Sequence, residues 1–241
     1  MKMCIMFRRF STLVKTQLAV IIILLSYCPF LYSSTDDGGG KKNASTENKN
    51  ELLYEISFDN GTFDIVDGNK NKVASPIANI NTLVDGIKGK AVKIDDKGVL
   101  EYPLNFKLPK QGLIEFYFKP DYAPDDAKKG RMFFWLSTKD AKKRIFFVKN
   151  LTYSYMYTFG DNSLDVKPDK INVNSWNYVG MQWDETKKTM QLNINGFTKT
   201  LENVEFDLTQ PMETLVIGNS KYDDLGTNSA IDEVKIWKVK D

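Results

Sequence analysis

A row of tyrosines near the middle of the chain has the spacing of a binding surface or of a buried strand. Tyr153, Tyr155 and Tyr157 recur at every second position of a segment that ends at Phe159. In a β-strand this spacing places the rings on one face. Aromatic rings stack on the C–H patches of sugars, and the tyrosine hydroxyl hydrogen-bonds sugar oxygens. The row therefore predicts either a sugar-binding platform or, facing inward, part of the core.

Tyr178 is the fourth predicted sugar contact. It precedes the alternating apolar residues Val179, Met181 and Trp183. Period-two alternation predicts a strand whose apolar residues face inward, so Tyr178 is expected on the outer, solvent-facing side.

The groups most often used in catalysis are scarce. The chain has no histidine, and its two cysteines, Cys4 and Cys28, both lie near the N-terminus. Imidazole-based triads, zinc–thiolate sites and a cysteine nucleophile are therefore not expected in the remainder of the chain. The sequence favours a binding protein over an enzyme.

The first 34 residues have the composition of an export segment. Residues 1–34 contain four basic and no acidic residues, followed by an apolar run. A basic flank before a short apolar core is typical of a secretory signal. Residues 25–28 (LSYC) resemble a bacterial lipoprotein box in which Cys28 is acylated, although Tyr27 stands where a small residue is usual. An ordinary cleaved signal and an uncleaved anchor remain as alternatives, and all three predict a secreted or surface-anchored protein.

The next segment, residues 35–50, has no large apolar residue and is rich in Gly, Lys and Asn. Such a composition predicts a disordered tether. Four of the 33 basic residues lie in the leader and all 31 acidic residues follow it, so the exported part has a net charge of about −2. This near-neutral balance gives no electrostatic support for binding nucleic acid, and contact with a membrane is expected through the N-terminus only.

From residue 51 onward the sequence alternates apolar and polar residues in many short segments, separated by turns such as Asn195-Gly196. No run of ten or more residues has helical periodicity. We predict that residues 51–241 form one monomeric all-β domain, a two-sheet antiparallel sandwich of the jelly-roll kind.

Five segments, in this order, resemble the laminin-G-like branch of the concanavalin A-like lectin/glucanase sandwiches. They are residues 56–61 (ISFDNG), the Gly-rich residues 84–92 (VDGIKGKAV), 176–184 (WNYVGMQWD), 193–196 (NING) and 230–237 (AIDEVKIW). The resemblance spans about residues 52–240. It implies an extracellular location and a glycan or an extracellular protein as partner.

In many proteins of this kind a calcium ion joins the early turn to the last strand. The resemblance places Asp59 and Asp232 at the matching positions as ligands, with Asp223 and Asp224 as additional or substitute ligands. Carboxylate oxygens suit calcium. The alternative is that Asp59 and Asp232 bond to nearby backbone.

Glycosidases of the same fold have the motif Glu-x-Asp-x-x-Glu, which supplies two carboxylates for hydrolysis. The nearest match begins at Glu205 and Asp207, but Gln210 replaces the last acid. We therefore predict an exported, surface-tethered carbohydrate-binding (lectin-like) module without catalysis. A protein–protein adhesion or scaffold module is the alternative, and a polysaccharide-active enzyme is the more distant one.

Overall fold

The computed structural model describes residues 50–80, 82–126, 129–152, 154–219 and 225–240. All the described residues belong to one compact unit, Thr46–Asp241. The predictions made for Cys28, Tyr153, Asp223 and Asp224 fall outside the described residues. Among the residues that are described, no helix is long and apolar enough to cross a membrane.

The described residues contain seventeen β-strands and one 3-10 helix, Pro168–Lys170. The strands are β1 (Glu51–Ile56), β2 (Ile65–Asp67), β3 (Lys72–Ala74), β4 (Ile77–Ala78), β5 (Leu83–Asp85), β6 (Lys90–Ile94), β7 (Val99–Phe106), β8 (Gln111–Pro120), β9 (Arg131–Ser137), β10 (Arg144–Lys149), β11 (Tyr155–Phe159), β12 (Asn162–Val166), β13 (Asn177–Asp184), β14 (Thr189–Ile194), β15 (Phe197–Glu202), β16 (Met212–Gly218) and β17 (Ser229–Lys238).

These strands form two antiparallel sheets. The first has the order β15-β14-β13-β8-β17-β1-β2-β3, with β6 also paired to β17 and β5 paired to β6. The second has the order β12-β11-β10-β9-β16-β7-β4. The predicted all-β, two-sheet antiparallel sandwich is confirmed.

The inner faces of the two sheets supply one continuous core. In the first sheet, Val179, Met181 and Trp183 are all fully buried, as their alternation predicted. Phe116 of β8 stacks on Phe134 of β9 in the second sheet, with ring centroids 6.2 Å apart. Burial of large apolar side chains from both sheets is what holds the layers together.

The central tryptophan requires a glycine on the neighbouring strand. Trp183 is paired with Gly112, and a Cβ built on Gly112 would lie 2.1 Å from an atom of the indole ring. The indole Nε1 donates a hydrogen bond to the backbone oxygen of Pro109 at 2.9 Å. Gly112 therefore provides the space in which the largest core side chain lies flat against its neighbour strand.

The tyrosine row of β11 faces inward, so the platform interpretation is wrong for Tyr155 and Tyr157. Both residues are 0% exposed. The ring of Tyr155 lies 5.9 Å from that of Phe118 and 6.1 Å from that of Phe147. Burial raises the pKa of the Tyr155 hydroxyl to about 12. The alternative interpretation of this row, that it is part of the core, is confirmed for these two residues.

The opposite face of β11 explains why the pattern was ambiguous. Met156 is only partly exposed and Thr158 is buried, although both point away from the core. A strand that is shielded on both faces does not show the polar outer row that would identify its inner side.

Candidate functional site

The strongest candidate site lies on the outer face of the first sheet, where β13, β8 and β17 are neighbours. Register places Tyr178 opposite Tyr117, Gly180 opposite Glu115, and Leu113 opposite Trp237. Side chains at such paired positions share a face and lie within contact distance. We call Glu115, Tyr117, Tyr178 and Trp237 the Glu115 platform. All four are partly exposed.

The carboxylate of Glu115 links the platform. Its Oε2 accepts a hydrogen bond from the Tyr178 hydroxyl at 2.9 Å, and its Oε1 accepts one from the indole Nε1 of Trp237 at 2.8 Å. Bonds to an ionised acceptor are stronger than those between neutral groups. The carboxylate therefore holds two rings from different strands in fixed orientations.

A glycine makes room for the Tyr178 ring. A Cβ on Gly180 would lie 2.8 Å from the Tyr178 hydroxyl oxygen, so the ring extends along its own strand over Gly180 towards Glu115. Tyr117 meets Tyr178 edge to face, with centroids 5.5 Å apart and an interplanar angle of 62°. The rings thus cover the sheet as a low aromatic surface instead of standing away from it.

The Tyr178 hydroxyl of the platform keeps its proton and can therefore donate a hydrogen bond. Burial, and then the charge of Glu115, hold the pKa of the Tyr178 hydroxyl well above its ordinary value. The hydroxyl therefore stays a donor throughout the physiological pH range. A carboxylate has about four lone-pair directions, and the two bonds described above use two of those on Glu115.

Amide and hydroxyl side chains border the platform on the same face. Gln182 of β13 is paired with Gln191 of β14, which is paired with Thr200 of β15. In the adjacent row, the Asn193 amide donates to the Thr198 hydroxyl at 3.1 Å. These groups provide both donors and acceptors beside the aromatic rings, the combination that hydroxyl-rich ligands require.

Three of the platform residues were not predicted from the sequence. Tyr178 was, and its position on the outer face agrees with that prediction. The signal for Glu115 was available, because it lies between Leu113 and Tyr117 on the outward positions of a strand whose other face is Ile114 and Phe116. No signal in the sequence connected it with Trp237.

The predicted calcium ligands Asp59 and Asp232 lie against one loop, between β5 and β6. Asp232 Oδ2 accepts the backbone N–H groups of Ile87 and Lys88 at 2.9 and 3.3 Å. Asp59 Oδ1 accepts the N–H of Lys90 at 3.1 Å. The two carboxylates therefore join the early turn and the last strand through this loop.

The same loop needs its two glycines. A Cβ on Gly86 would lie 2.3 Å from Asp232 Oδ2, and one on Gly89 would lie 2.1 Å from Asp59 Oδ1. Gly89 also has a φ of +55°, which glycine adopts readily. The Gly-rich segment is explained by this close approach of backbone to carboxylate.

These contacts do not fit a bound calcium ion as they stand. The Asp232 oxygens accept backbone N–H groups, and the Lys88 ammonium lies 3.6 Å from Asp59 Oδ2 and 4.0 Å from Glu233 Oε1. Within the described ranges, no group of three or more acidic side chains is arranged to hold a metal. A cation is already present among the carboxylates, in the form of the lysine.

No family model matches this sequence, and no curated protein matches it. Among solved structures, it is similar to domain 4 of AbnA, a GH43 extracellular arabinanase from Geobacillus stearothermophilus, in complex with arabinotriose. The TM-score is 0.60 at 19% identity, over 79% of this chain and 93% of that one.

It is also similar to the botulinum neurotoxin serotype D binding domain, with a TM-score of 0.58 at 15% identity, over 78% of this chain and 48% of that one. The receptor binding domain of the mosaic serotype C/D toxin gives 0.60 at 14% identity, over 79% and 48%. The chain thus spans about half of these toxin chains. At such identities the likeness shows a shared β-sandwich fold.

Asp232 makes the stability of the domain depend on pH. Burial raises the pKa of this carboxyl group to about 6, against the effect of its backbone N–H donors. An aspartate in the unfolded chain has a pKa of about 3.9. Between these two pH values the folded state binds more protons than the unfolded state, so the contribution of Asp232 is fully present below about pH 4 and is lost as the pH rises through about 6.

We expect Asp232→Asn to remove this component. Urea unfolding of the parent and the variant at several pH values, with chelator present so that the carboxyl group is metal-free, gives the difference between their free energies of unfolding. Relative to the variant, the parent should become less stable as the pH rises from about 4 to about 7. A difference that is constant, or that grows in favour of the parent over this range, would contradict the assignment.

Proposed function

We propose that the chain is an exported carbohydrate-binding module of the laminin-G-like, concanavalin A-like class, and that the Glu115 platform contacts the glycan. The observation that carries this proposal is three partly exposed aromatic rings on one sheet face, two of them fixed by one carboxylate. The structural likeness to an arabinanase domain in complex with arabinotriose supports it.

Binding on this face would use two kinds of contact. The rings of Tyr117, Tyr178 and Trp237 offer apolar area for the C–H faces of a sugar. Glu115 and Gln182 offer acceptors and donors for its hydroxyl groups. Because the platform residues belong to central strands, their positions are set before the ligand arrives, which limits the entropy lost on binding.

The proposed module has no catalytic role. Glu205 is paired with Lys188 at 2.6 Å, whereas Asp207 accepts hydrogen bonds from Thr209 and is paired with Lys143. With Gln210 in the third position, the motif offers no proton donor and nucleophile pair. Each of its acids forms a surface ion pair instead.

A protein partner is the second candidate. It is favoured by the likeness to toxin binding domains, which include a receptor binding domain. Exposed aromatic rings can pack against a sugar or against a protein partner. A carbohydrate-binding module should bind an isolated oligosaccharide, whereas a module that binds only a protein partner should not.

The first test is binding of an oligosaccharide panel that includes arabinotriose to the full-length chain. We expect Tyr178→Ala and Trp237→Ala each to lower affinity about fivefold or more, as for the loss of an interface anchor. Their melting temperatures should change little because both rings are partly exposed.

Phe197→Ala is the matched control. Its ring is 44% exposed and lies outside the platform, near Lys170. An equal loss of affinity in this control, or full affinity in both platform variants, would contradict the assignment of the site. Binding of a protein but of no sugar would select the second candidate.

Calcium at Asp59 and Asp232 is a separate proposal that rests on the resemblance of these positions to the family's metal site. An ion bound only by the folded state stabilises it by about 2.7 kcal/mol at a hundredfold excess over Kd. Chelator should then lower the melting temperature of the parent but not of Asp232→Ala. Since the ion must displace the Lys88 ammonium, Lys88→Met should enlarge the response. A parent melt that is indifferent to chelator would contradict the proposal.

Tethering to a membrane is proposed from the leader and the polar linker. Acylation of Cys28 would anchor the chain at the cell surface or outer membrane. Cys28→Ser should then move the protein from the membrane fraction to the soluble fraction. An unchanged distribution would exclude acylation and leave the cleaved signal or the uncleaved anchor.

A further inference from the structure

The described residues include two arginines whose surroundings differ. Arg131 is 4% exposed and forms ion pairs with Asp96 and Asp126 at 3.4 and 3.8 Å. Arg144 is exposed, and within the described ranges it has no carboxylate partner. Arg144 thus lies on the outer face of the second sheet with no counter-ion among the described residues.

Two aromatic rings orient the Arg144 guanidinium. Trp135 and Phe146 are paired across β9 and β10, and their rings stack with centroids 5.3 Å apart and an interplanar angle of 14°. The Arg144 guanidinium carbon lies 5.5 Å from each ring centroid. Cation–π attraction holds the group while its N–H donors remain available at the edge of its plane.

The two rings are not equally accessible. Trp135 is 7% exposed and lies beside Val216, which is also buried. Phe146 is partly exposed, so its ring is the one that a ligand can touch. Trp135 is the more buried ring and contacts both Phe146 and Arg144.

A cavity adjoins this group at the end of the sheet. Arg144 is paired with Ser137, which is paired with Thr214. The residues next to this row along the chain line a cavity of about 570 Å³, within the range of small-molecule sites. Its lining combines hydroxyl, amide, carboxylate and ammonium groups: Thr138, Lys139, Asp140, Gln210, Pro211 and Glu213.

Basic and acidic side chains both surround the cavity, and they are unevenly placed. In the turn between β9 and β10, Lys142 is paired with Asp140 at 3.4 Å, and Lys143 is paired with Asp207. Lys139 is exposed and, like Arg144, has no carboxylate partner among the described residues. The lining also contains Glu213, whose carboxylate has no cation partner among the described residues, so the available positive charge lies on the Lys139 and Arg144 side of the cavity.

We propose that Arg144 and Phe146, together with the cavity beside them, bind a sugar unit with an anionic substituent, a carboxylate or a sulfate. Arg144 binds the anionic group through its paired N–H donors, Lys139 adds charge, and Phe146 packs against the sugar ring. A planar guanidinium matches the two oxygens of such a group. This inference rests on the proposed function, because the ligand class is the same. Its residues differ from those of the Glu115 platform, so either site can be disproved without disproving the other.

Three oligosaccharides with a galactose backbone test the site on the full-length chain: oligogalacturonate, a sulfated galacto-oligosaccharide, and the neutral galacto-oligosaccharide. We expect a charged member to bind more tightly than the neutral one, with an affinity that falls as salt rises. Arg144→Gln should lower that affinity about tenfold or more, the usual effect of losing a hydrogen bond to a charged group. Arg144→Lys should restore only part of it, because the paired donors are lost.

Lys167→Gln is the matched control, since it removes one exposed positive charge at a distant loop. It should bind the charged oligosaccharides like the parent. Preference for the carboxylate or for the sulfate identifies the anionic group. Equal binding of all three sugars, binding of none, or parent-like affinity and salt dependence in Arg144→Gln would overturn the proposal.

Discussion

Packing of the two inner sheet faces against each other is the constraint on which the rest of the structure depends. Trp183 lies flat because β8 has Gly112 beside it, and Phe116 meets Phe134 across the layers. Once these side chains are inside, period two assigns every alternate residue of the same strands to the outer faces. Tyr178 and Glu115 reach the solvent side because their neighbours Val179 and Phe116 do not.

The sequence predicted the fold well because alternation is a local property of each strand. The inward residues of β13 and the outward position of Tyr178 follow from it. The tyrosine row of β11 could not be placed in this way, because both of its faces are shielded: Tyr157 lies in the core, and Thr158, on the other face, is only 6% exposed. Periodicity separates two sets of residues, and only the pairing partners decide which set is inside.

The candidate site was less predictable because it depends on register between distant strands. The hydrogen bond from Trp237 to Glu115 joins residues 122 positions apart. Asn177 shows the same limit in a structural role. Its buried side chain donates hydrogen bonds to the backbone oxygens of Asn172 and Ser175 and so holds the loop before β13. A single sequence shows which residue type stands at each of these positions, but it does not show which residue each one contacts in the fold.

The two proposed binding surfaces differ in how their charged groups are held. On the first sheet, Glu115 is an acceptor fixed by two ring donors, so it presents a neutral ligand with an ordered oxygen and two oriented rings. On the second, Arg144 is held by rings that do not neutralise it. A buried charge without a partner is unfavourable, whereas an exposed charge is stabilised by hydration until a ligand binds. The two proposals thus place recognition by shape and recognition by charge on different outer faces of the sandwich.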